Sequence, residues 1–432
     1  MKAIITPSKV SGSVIVPPSK SFTHRAVLLA SLAGGVSVIR NPLICDDTMH
    51  TMAVCNALGA SVKSTDGKLE IKGCGGKFEP RHNEISVGGS GSTMRMASSL
   101  AALAKGKMRF VGNERLNQRP VQDLVDALNS AGITAKAENG CPPLEIEGGM
   151  FKGGEIMISG DKSSQFISSL LMIAPYAKES TKIIVKGDLV SKPYVDITID
   201  MMRRFGVRVG RCKYSRFFVP NWQKYKAIDY RVEGDWSSAS YYLAAAAICK
   251  TKMLVNGLNS ISVQGDRFFS TILQVMGNSV NWHNGGVSIE GKNMGGIIVS
   301  MKSCPDTVQT AAAVAAFSNG DVCITDIGHL TIKESDRIND TKKELEKMGI
   351  KVEATDNSIT IHGGNPKGAE VDSHNDHRMA MVLTAVALGA EGETVINGAE
   401  CVSKSFPDFF REMKKLGANI NLVKEFETDP VI

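Results

Sequence analysis

"SKSFTHRAVLLASLA", residues 19–33, sets hydroxyl and cationic side chains directly against an unbroken run of small apolar residues. An apolar run without a polar face predicts a helix buried on all sides. The N-terminus of such a helix presents unpaired backbone N–H groups and a partial positive charge. Hydroxyls at that end cap the backbone, whereas lysine and arginine oppose the helix dipole. Cations placed there serve a bound anion, or else they turn away into solvent while the hydroxyls cap.

The same turn recurs five more times, as "GSGSTMRMASSLAALA" (89–104), "DKSSQFISSLLMIA" (161–174), "GDWSSASYYLAAAAI" (234–248), "CPDTVQTAAAVAAF" (304–317) and "HNDHRMAMVLTAVAL" (374–388). The starts lie about 70 residues apart, the signature of an internal repeat. A second marker keeps the same spacing. Amphipathic helices end at Gly59, Gly132, Gly206, Gly277, Gly349 and Gly417, each followed by a strand-like stretch, as a left-handed C-terminal cap requires. Segments such as "SVKSTDGKLEIKG" (61–73) and "KVEATDNSITIHG" (351–363) alternate around Asp-Gly or Asp-Asn turns and predict hairpins. Each unit therefore reads βαβαββ, and six units divide naturally into three plus three.

At 432 residues the chain exceeds a single hydrophobic core. Its net charge of +6 suits a small anionic ligand, and no dense Lys/Arg run with interleaved aromatics points to nucleic acid. Nine cysteines without CxxC spacing read as thiols of a reducing compartment. The N-terminus has no apolar core of a secretory signal and no run spans a membrane, so the expectation is a soluble cytoplasmic protein. "SHNDHR" offers His374 and His377 around Asp376, but no third ligand follows by spacing, so no metal is expected. "GGSGS" lacks the Lys-Ser/Thr of a nucleotide-binding loop.

The motifs "PPSKSFTHRAVLLASLA", "STMR", "QRPVQDLVDAL", "DKSSQFISSLL", "SKPYVDIT", "VEGDWSSASY", "CPDTVQT", "IKESDRI", "NDHRMAM" and "KSFPDFF" together resemble the EPSP synthase (3-phosphoshikimate 1-carboxyvinyltransferase) family along essentially the whole chain. The related enolpyruvyl transferases acting on UDP-N-acetylglucosamine typically carry Lys-Asn where this chain has Lys20-Ser21. The resemblance implies an α/β, two-domain enolpyruvyl transferase-like fold with three repeats per domain. The repeat phase then places residues 20–234 in one domain and residues 1–19 with 235–432 in the other, with the active site in the cleft between. It implies a monomer without cofactors that moves the enolpyruvyl group of phosphoenolpyruvate to the 5-hydroxyl of shikimate 3-phosphate, releasing phosphate.

By similarity, Lys20, Gly91, Arg119, Gln165, Arg337, Arg378 and Lys404 take phosphoenolpyruvate. Lys20, Ser21, Arg25, Ser163, Ser164, Gln165, Ser191, Tyr194, Asp306, His329 and Lys333 take shikimate 3-phosphate. Arg95 is a further cation of the motif turns. Asp306 is the expected proton acceptor and Glu334 the donor, with Lys20 assisting. Without the family pattern, Asp306 reads as a helix cap and Glu334 as an exposed pair with Lys333 or Arg337. Gly89 and Ser92 stand where many members have asparagine and threonine. His329 replaces an asparagine that touches the shikimate in some members, and either takes that contact or stands in a surface loop. A phosphate-ligand binder without turnover would have no use for the proton-handling set. Enzymes acting on RNA 3′-phosphate ends share this kind of repeat but would need a nucleophilic histidine, which is not evident.

Overall fold

The buried helices form where the sequence has no polar face. Trp236–Cys249 is buried from Trp236 to Ile248, and Asp235 caps it by accepting from the Ser238 N–H at 2.8 Å. Ser19, Ser163 and Asp376 cap the corresponding helices Lys20–Leu32, Ser164–Ile173 and His377–Gly389 in the same way. The six predicted terminating glycines all adopt positive φ, between 81° and 114°.

The computed structural model describes residues 1–149 and 151–424. These fall into two units by internal contact. The first is Pro18–Gly234 with Val263–Gly265; the second joins Met1–Pro17 and Asp235–Ser262 to the chain from Asp266 onward. Each has its own hydrophobic core. In the second unit the helices Trp236–Cys249, Val308–Ala315 and His377–Gly389 pack on one another at the centre.

Every sheet is built to one plan. The described residues form six four-stranded sheets, three in each unit. In three of them the strand before the buried helix lies parallel to the strand after it, which then pairs antiparallel with a hairpin, as in Gly154–Ser159, Thr181–Lys186, Arg216–Val219 and Gly210–Cys212. Chain order is broken at three places. Gly12–Ile15 pairs with Lys252–Asn256, and Asp229–Arg231 pairs with Gly34–Arg40. Each strand therefore serves the unit other than that of the helix following it. Lys2–Thr6 closes the last sheet between Thr394–Asn397 and Asn419–Val423.

The second repeat departs from the expected regular helix. Thr93–Ala97 is a π turn and Ser98–Leu103 a 3-10 segment. The Ser98 hydroxyl donates to the Met94 carbonyl at 2.5 Å and that of Ser99 to the Met96 carbonyl at 3.0 Å, competition that weakens the i→i−4 ladder. No described helix is long and apolar enough to cross a membrane.

Candidate active site

The motif arginines Arg25, Arg95, Arg119, Arg337 and Arg378 are buried rather than turned into solvent. Arg25 is 1% exposed on the Lys20–Leu32 helix. Its Nε donates to Thr198 Oγ1 at 2.7 Å, and its terminal nitrogens donate to the Ser21 and Tyr194 carbonyls at 3.0 and 2.9 Å. Among the described residues no carboxylate pairs with it. Burial pushes this guanidinium down to about 10. A buried cation held by neutral acceptors favours an anionic partner. Arg25 thereby gathers Ser21 and Tyr194 around one point. Ser191, in left-handed backbone with φ 55°, starts the Lys192–Arg204 helix that carries Tyr194 and Thr198.

Lys20 Nζ meets Asp47 Oδ2 at 2.8 Å. The Asp47 carbonyl accepts from the Thr93 hydroxyl at 3.3 Å and from that of Ser90 at 3.4 Å. A buried row of side chains continues from Ser90 through Thr93 and Thr51 to His24 Nδ1, each step 2.7 Å. These contacts fix the Gly89–Thr93 turn against the Asp46–Ala57 helix. Arg119, 4% exposed, lies over Gly91: a Cβ on that glycine would stand 2.6 Å from the nearer terminal nitrogen. Ser92 Oγ accepts from Gln165 Nε2 at 3.0 Å, while Gln165 Oε1 accepts from Arg95 at 3.3 Å. The Arg95 guanidinium also lies 5.5 Å from the Phe166 ring centroid. Ser163 caps the next helix through the Gln165 N–H, and Ser164 is buried in its first turn. Gly89 faces Asn113, whose amide nitrogen would be 3.0 Å from an added Cβ.

The second unit carries an interlocked set of carboxylates and arginines. Asp306 Oδ2 accepts from Arg378 at 2.6 Å, and its Oδ1 accepts from Arg337 at 3.2 Å. Arg337 also donates to Glu334 Oε2 at 2.8 Å and, through Nε, to Asp376 Oδ2 at 2.7 Å. Both arginines are nearly buried. Burial opposes the charge of Arg337, yet Asp376, Glu334 and Asp306 hold its proton affinity above the ordinary value. Arg378 donates to the Tyr241 hydroxyl at 3.1 Å. Lys404 Nζ reaches the carbonyl and the side-chain oxygen of Asn375 at 2.6 and 2.9 Å. Asp266 is buried against the Ser237 hydroxyl; burial, and then the charge of Asp306, push its carboxyl up to about 7.

Three of the plainer alternatives differ from what the structure shows. Asp306 sits in the 3-10 turn Pro305–Thr307, but its carboxylate engages arginines instead of capping the helix. Glu334 does pair with Arg337, but in a partly buried position at 18% exposure. His329 is not a surface loop residue: it lies 8% exposed in the turn Gly328–Leu330. Burial, with Lys333 adding to it, pushes its imidazole down to about 3, so the ring is neutral. His374 is engaged by Glu344 and Asp340, and His377 is 1% exposed. No group of three or more His, Cys, Asp or Glu among the described residues is placed to hold a metal ion.

Asp47, Asp376, Tyr241 and Asp266 escaped the sequence reading as site residues. Asp376 and Tyr241 lie within quoted repeat heads, so their nearness to the cations was open to inference. Asp47 lies in the first turn of the Asp46–Ala57 helix and carries no comparable signal.

Residues 4–413 match the EPSP synthase (3-phosphoshikimate 1-carboxyvinyltransferase) family. Two relatives bear the name 3-phosphoshikimate 1-carboxyvinyltransferase. That of Methanocella arvoryzae is 42% identical over 426 residues, covering 98% of this chain and 100% of the relative. That of Methanocaldococcus jannaschii is 41% identical over 419 residues, covering 96% and 97%. The solved EPSP synthase of Acinetobacter baumannii superposes with a TM-score of 0.82 at 25% identity, covering 98% of this chain and 100% of that one.

Proposed function

The chain belongs to the EPSP synthase family, and from that premise we propose the roles its residues take in the family's reaction. The reaction moves the enolpyruvyl group of phosphoenolpyruvate to the 5-hydroxyl of shikimate 3-phosphate and releases phosphate. Arg25, with Ser21, Ser163, Ser164, Gln165, Ser191, Tyr194, His329 and Lys333, serves shikimate 3-phosphate. Lys20, Gly91, Arg119, Gln165, Arg337, Arg378 and Lys404 serve phosphoenolpyruvate. The buried, neutral-partnered state of Arg25 supports its role as an anion receptor.

The chemistry needs a proton removed from the 5-hydroxyl and one delivered to the methylene carbon of phosphoenolpyruvate. Addition of the alkoxide to the adjacent carbon gives a tetrahedral adduct. Loss of phosphate, with return of the methyl proton, regenerates the enol ether. Asp306 accepts the first proton and Glu334 manages the second, with Lys20 assisting. The observation that carries this reading is the double engagement of Asp306 by Arg378 and Arg337. The two guanidiniums orient that carboxylate and place it beside the cations assigned to phosphoenolpyruvate, where an acceptor for the 5-hydroxyl proton is needed.

The His329 ring, kept neutral by burial, is suited to a hydrogen bond with a shikimate hydroxyl rather than to proton transfer. Work as a cytoplasmic monomer is part of the proposal, and all nine cysteines being free thiols supports the compartment.

Steady-state phosphate release with both substrates tests the assignment. Asp306→Asn is expected to lower kcat by about 10²–10⁴-fold, the usual contribution of a positioned proton acceptor. Arg337 keeps Asp376 and Glu334 as partners, so the variant should still melt cooperatively. Near-normal turnover in Asp306→Asn removes it from the chemistry.

A further inference from the structure

The turn that carries Asn375 and Asp376 is held from outside the motif residues. Glu344, on the Arg337–Lys347 helix, is fully buried at 0% exposure. Its Oε1 meets His374 Nε2 at 2.8 Å and Lys347 Nζ at 3.0 Å. Its Oε2 accepts from Lys347 at 2.7 Å and from the Asp372 N–H at 3.0 Å. Asp340, one helical turn earlier, stands 3.6 Å from His374 Nδ1. The His374 N–H donates to Asp372 Oδ1 at 2.5 Å.

The backbone of His374 and Asn375 is left-handed, with φ of 51° and 53°. Two successive residues other than glycine hold that conformation only where their surroundings impose it. The turn presents the two Asn375 oxygens to Lys404. Its next residue, Asp376, accepts from Arg337 Nε and caps the His377–Gly389 helix through the Arg378 N–H at 2.9 Å.

We propose that the Glu344–His374 pair is a positioning clamp for the phosphoenolpyruvate cations, setting Lys404 through Asn375 and Arg337 through Asp376. The proposal rests on the reading above, in which those two cations hold phosphoenolpyruvate. Neither clamp residue touches the reacting atoms.

The charged groups facing His374 are Glu344, Asp340 and Asp372, with Lys347 behind Glu344 and Lys404 across the turn. The hydrogen bond that the ring donates to Glu344, opposed by burial and assisted by Asp340 and Asp372, holds the imidazolium above its ordinary value. The clamp is therefore an ion pair in the window between the lowered Glu344 titration and the raised His374 one. It weakens as pH rises through the raised value, where the ring loses its charge.

The test measures KM for each substrate against pH in the wild type and in His374→Gln, which keeps a donor to Glu344 but no titratable charge. In the wild type, KM for phosphoenolpyruvate should climb on the alkaline side. His374→Gln should raise that KM roughly tenfold at neutral pH, since an ångström of misplacement costs up to about 10²-fold. KM for shikimate 3-phosphate should stay within about twofold, and the alkaline inflection should vanish. Titrations of the phosphoenolpyruvate itself occur in both profiles and cancel in the difference.

Equal rises in both KM values, or an unchanged difference profile, overturn the clamp. Should His374→Gln fail to fold, NMR titration of the histidines in wild type and Glu344→Gln decides. The His374 resonance must titrate above the ordinary imidazole range and fall when Glu344 loses its charge, and an unmoved titration overturns the clamp. Absence of phosphate release by the wild type would overturn the functional reading instead, and the titration remains a separate result.

Discussion

Gly91 and Arg119 set the finest tolerance among the individual residues. An added Cβ at Gly91 would lie 2.6 Å from one terminal nitrogen of Arg119 and 3.0 Å from its central carbon, so Gly91→Ala must push the guanidinium aside. A guanidinium holds a carboxylate or phosphate through paired hydrogen bonds whose geometry an ammonium cannot reproduce. Gly91→Ala and Arg119→Lys should therefore both raise KM for phosphoenolpyruvate, by about tenfold or more on the scale of lost charge-assisted hydrogen bonds. Shikimate 3-phosphate should bind nearly as before. Isothermal titration of each ligand checks this, and equal losses for both would make Arg119 architectural. The cations and the carboxylates Asp306 and Glu334 were legible because the motifs name them. Beyond the local Glu334–Arg337 pair their partners were not: Lys20 meets Asp47 and Arg378 meets Asp306 across 27 and 72 positions of chain, and no local pattern encodes such pairings.

Among the elements, one marker of the repeat went unnoticed in the sequence. The hairpin glycines Gly73, Gly148 and Gly291 each press against carbonyl oxygens near the end of the buried helix in their own repeat, namely those of Ala30 and Ala33, Ala101 and Ala104, and Ala246. A Cβ at any of them would overlap backbone that cannot rotate away. The terminating glycines were legible because a helix end needs positive φ locally, whereas close approach between a strand and a helix is a tertiary fact. The π and 3-10 backbone of Thr93–Leu103 was hidden for a related reason. Its composition matches the other buried helices, and the hydroxyls of Ser98 and Ser99 redirect the hydrogen bonds only once packed. Gly148→Ala should destabilise the first unit by about 1–3 kcal/mol, the usual cost of overpacking. At roughly 2–4 °C per kcal/mol for a unit of this size, its melting temperature should drop by several degrees. Thermal melts of Gly148→Ala against a surface control such as Gly34→Ala, where nothing lies within 4 Å and φ is not positive, isolate the crowding.

For the whole molecule, the strand exchange decides which parts of the chain can fold alone. All three sheets of the first unit are assembled from residues between Gly34 and Arg231, because Asp229–Arg231 supplies the strand that the first repeat lacks ahead of its helix. The second unit instead depends on the chain's beginning. Lys2–Thr6 is an interior strand whose loss would leave Thr394–Asn397 and Asn419–Val423 without their shared partner, and Gly12–Ile15 completes the sheet of Lys252–Asn256. Ala3, Ile5, Val10, Val14 and Val16 from this short segment are all buried in the second core. Burying such side chains contributes about 1.5–3 kcal/mol for each of the larger ones, so removing the segment should exceed the few kcal/mol by which a domain is stable. Deletion of residues 1–17 should therefore unfold the second unit and leave the first protected, while residues 18–234 alone should fold cooperatively. Hydrogen exchange read by mass spectrometry distinguishes the outcomes peptide by peptide. Protection retained across Lys252–Glu290 and Thr394–Val423 after the deletion would show that the second unit needs neither strand, and loss of protection in both units would show that the first cannot stand without the second.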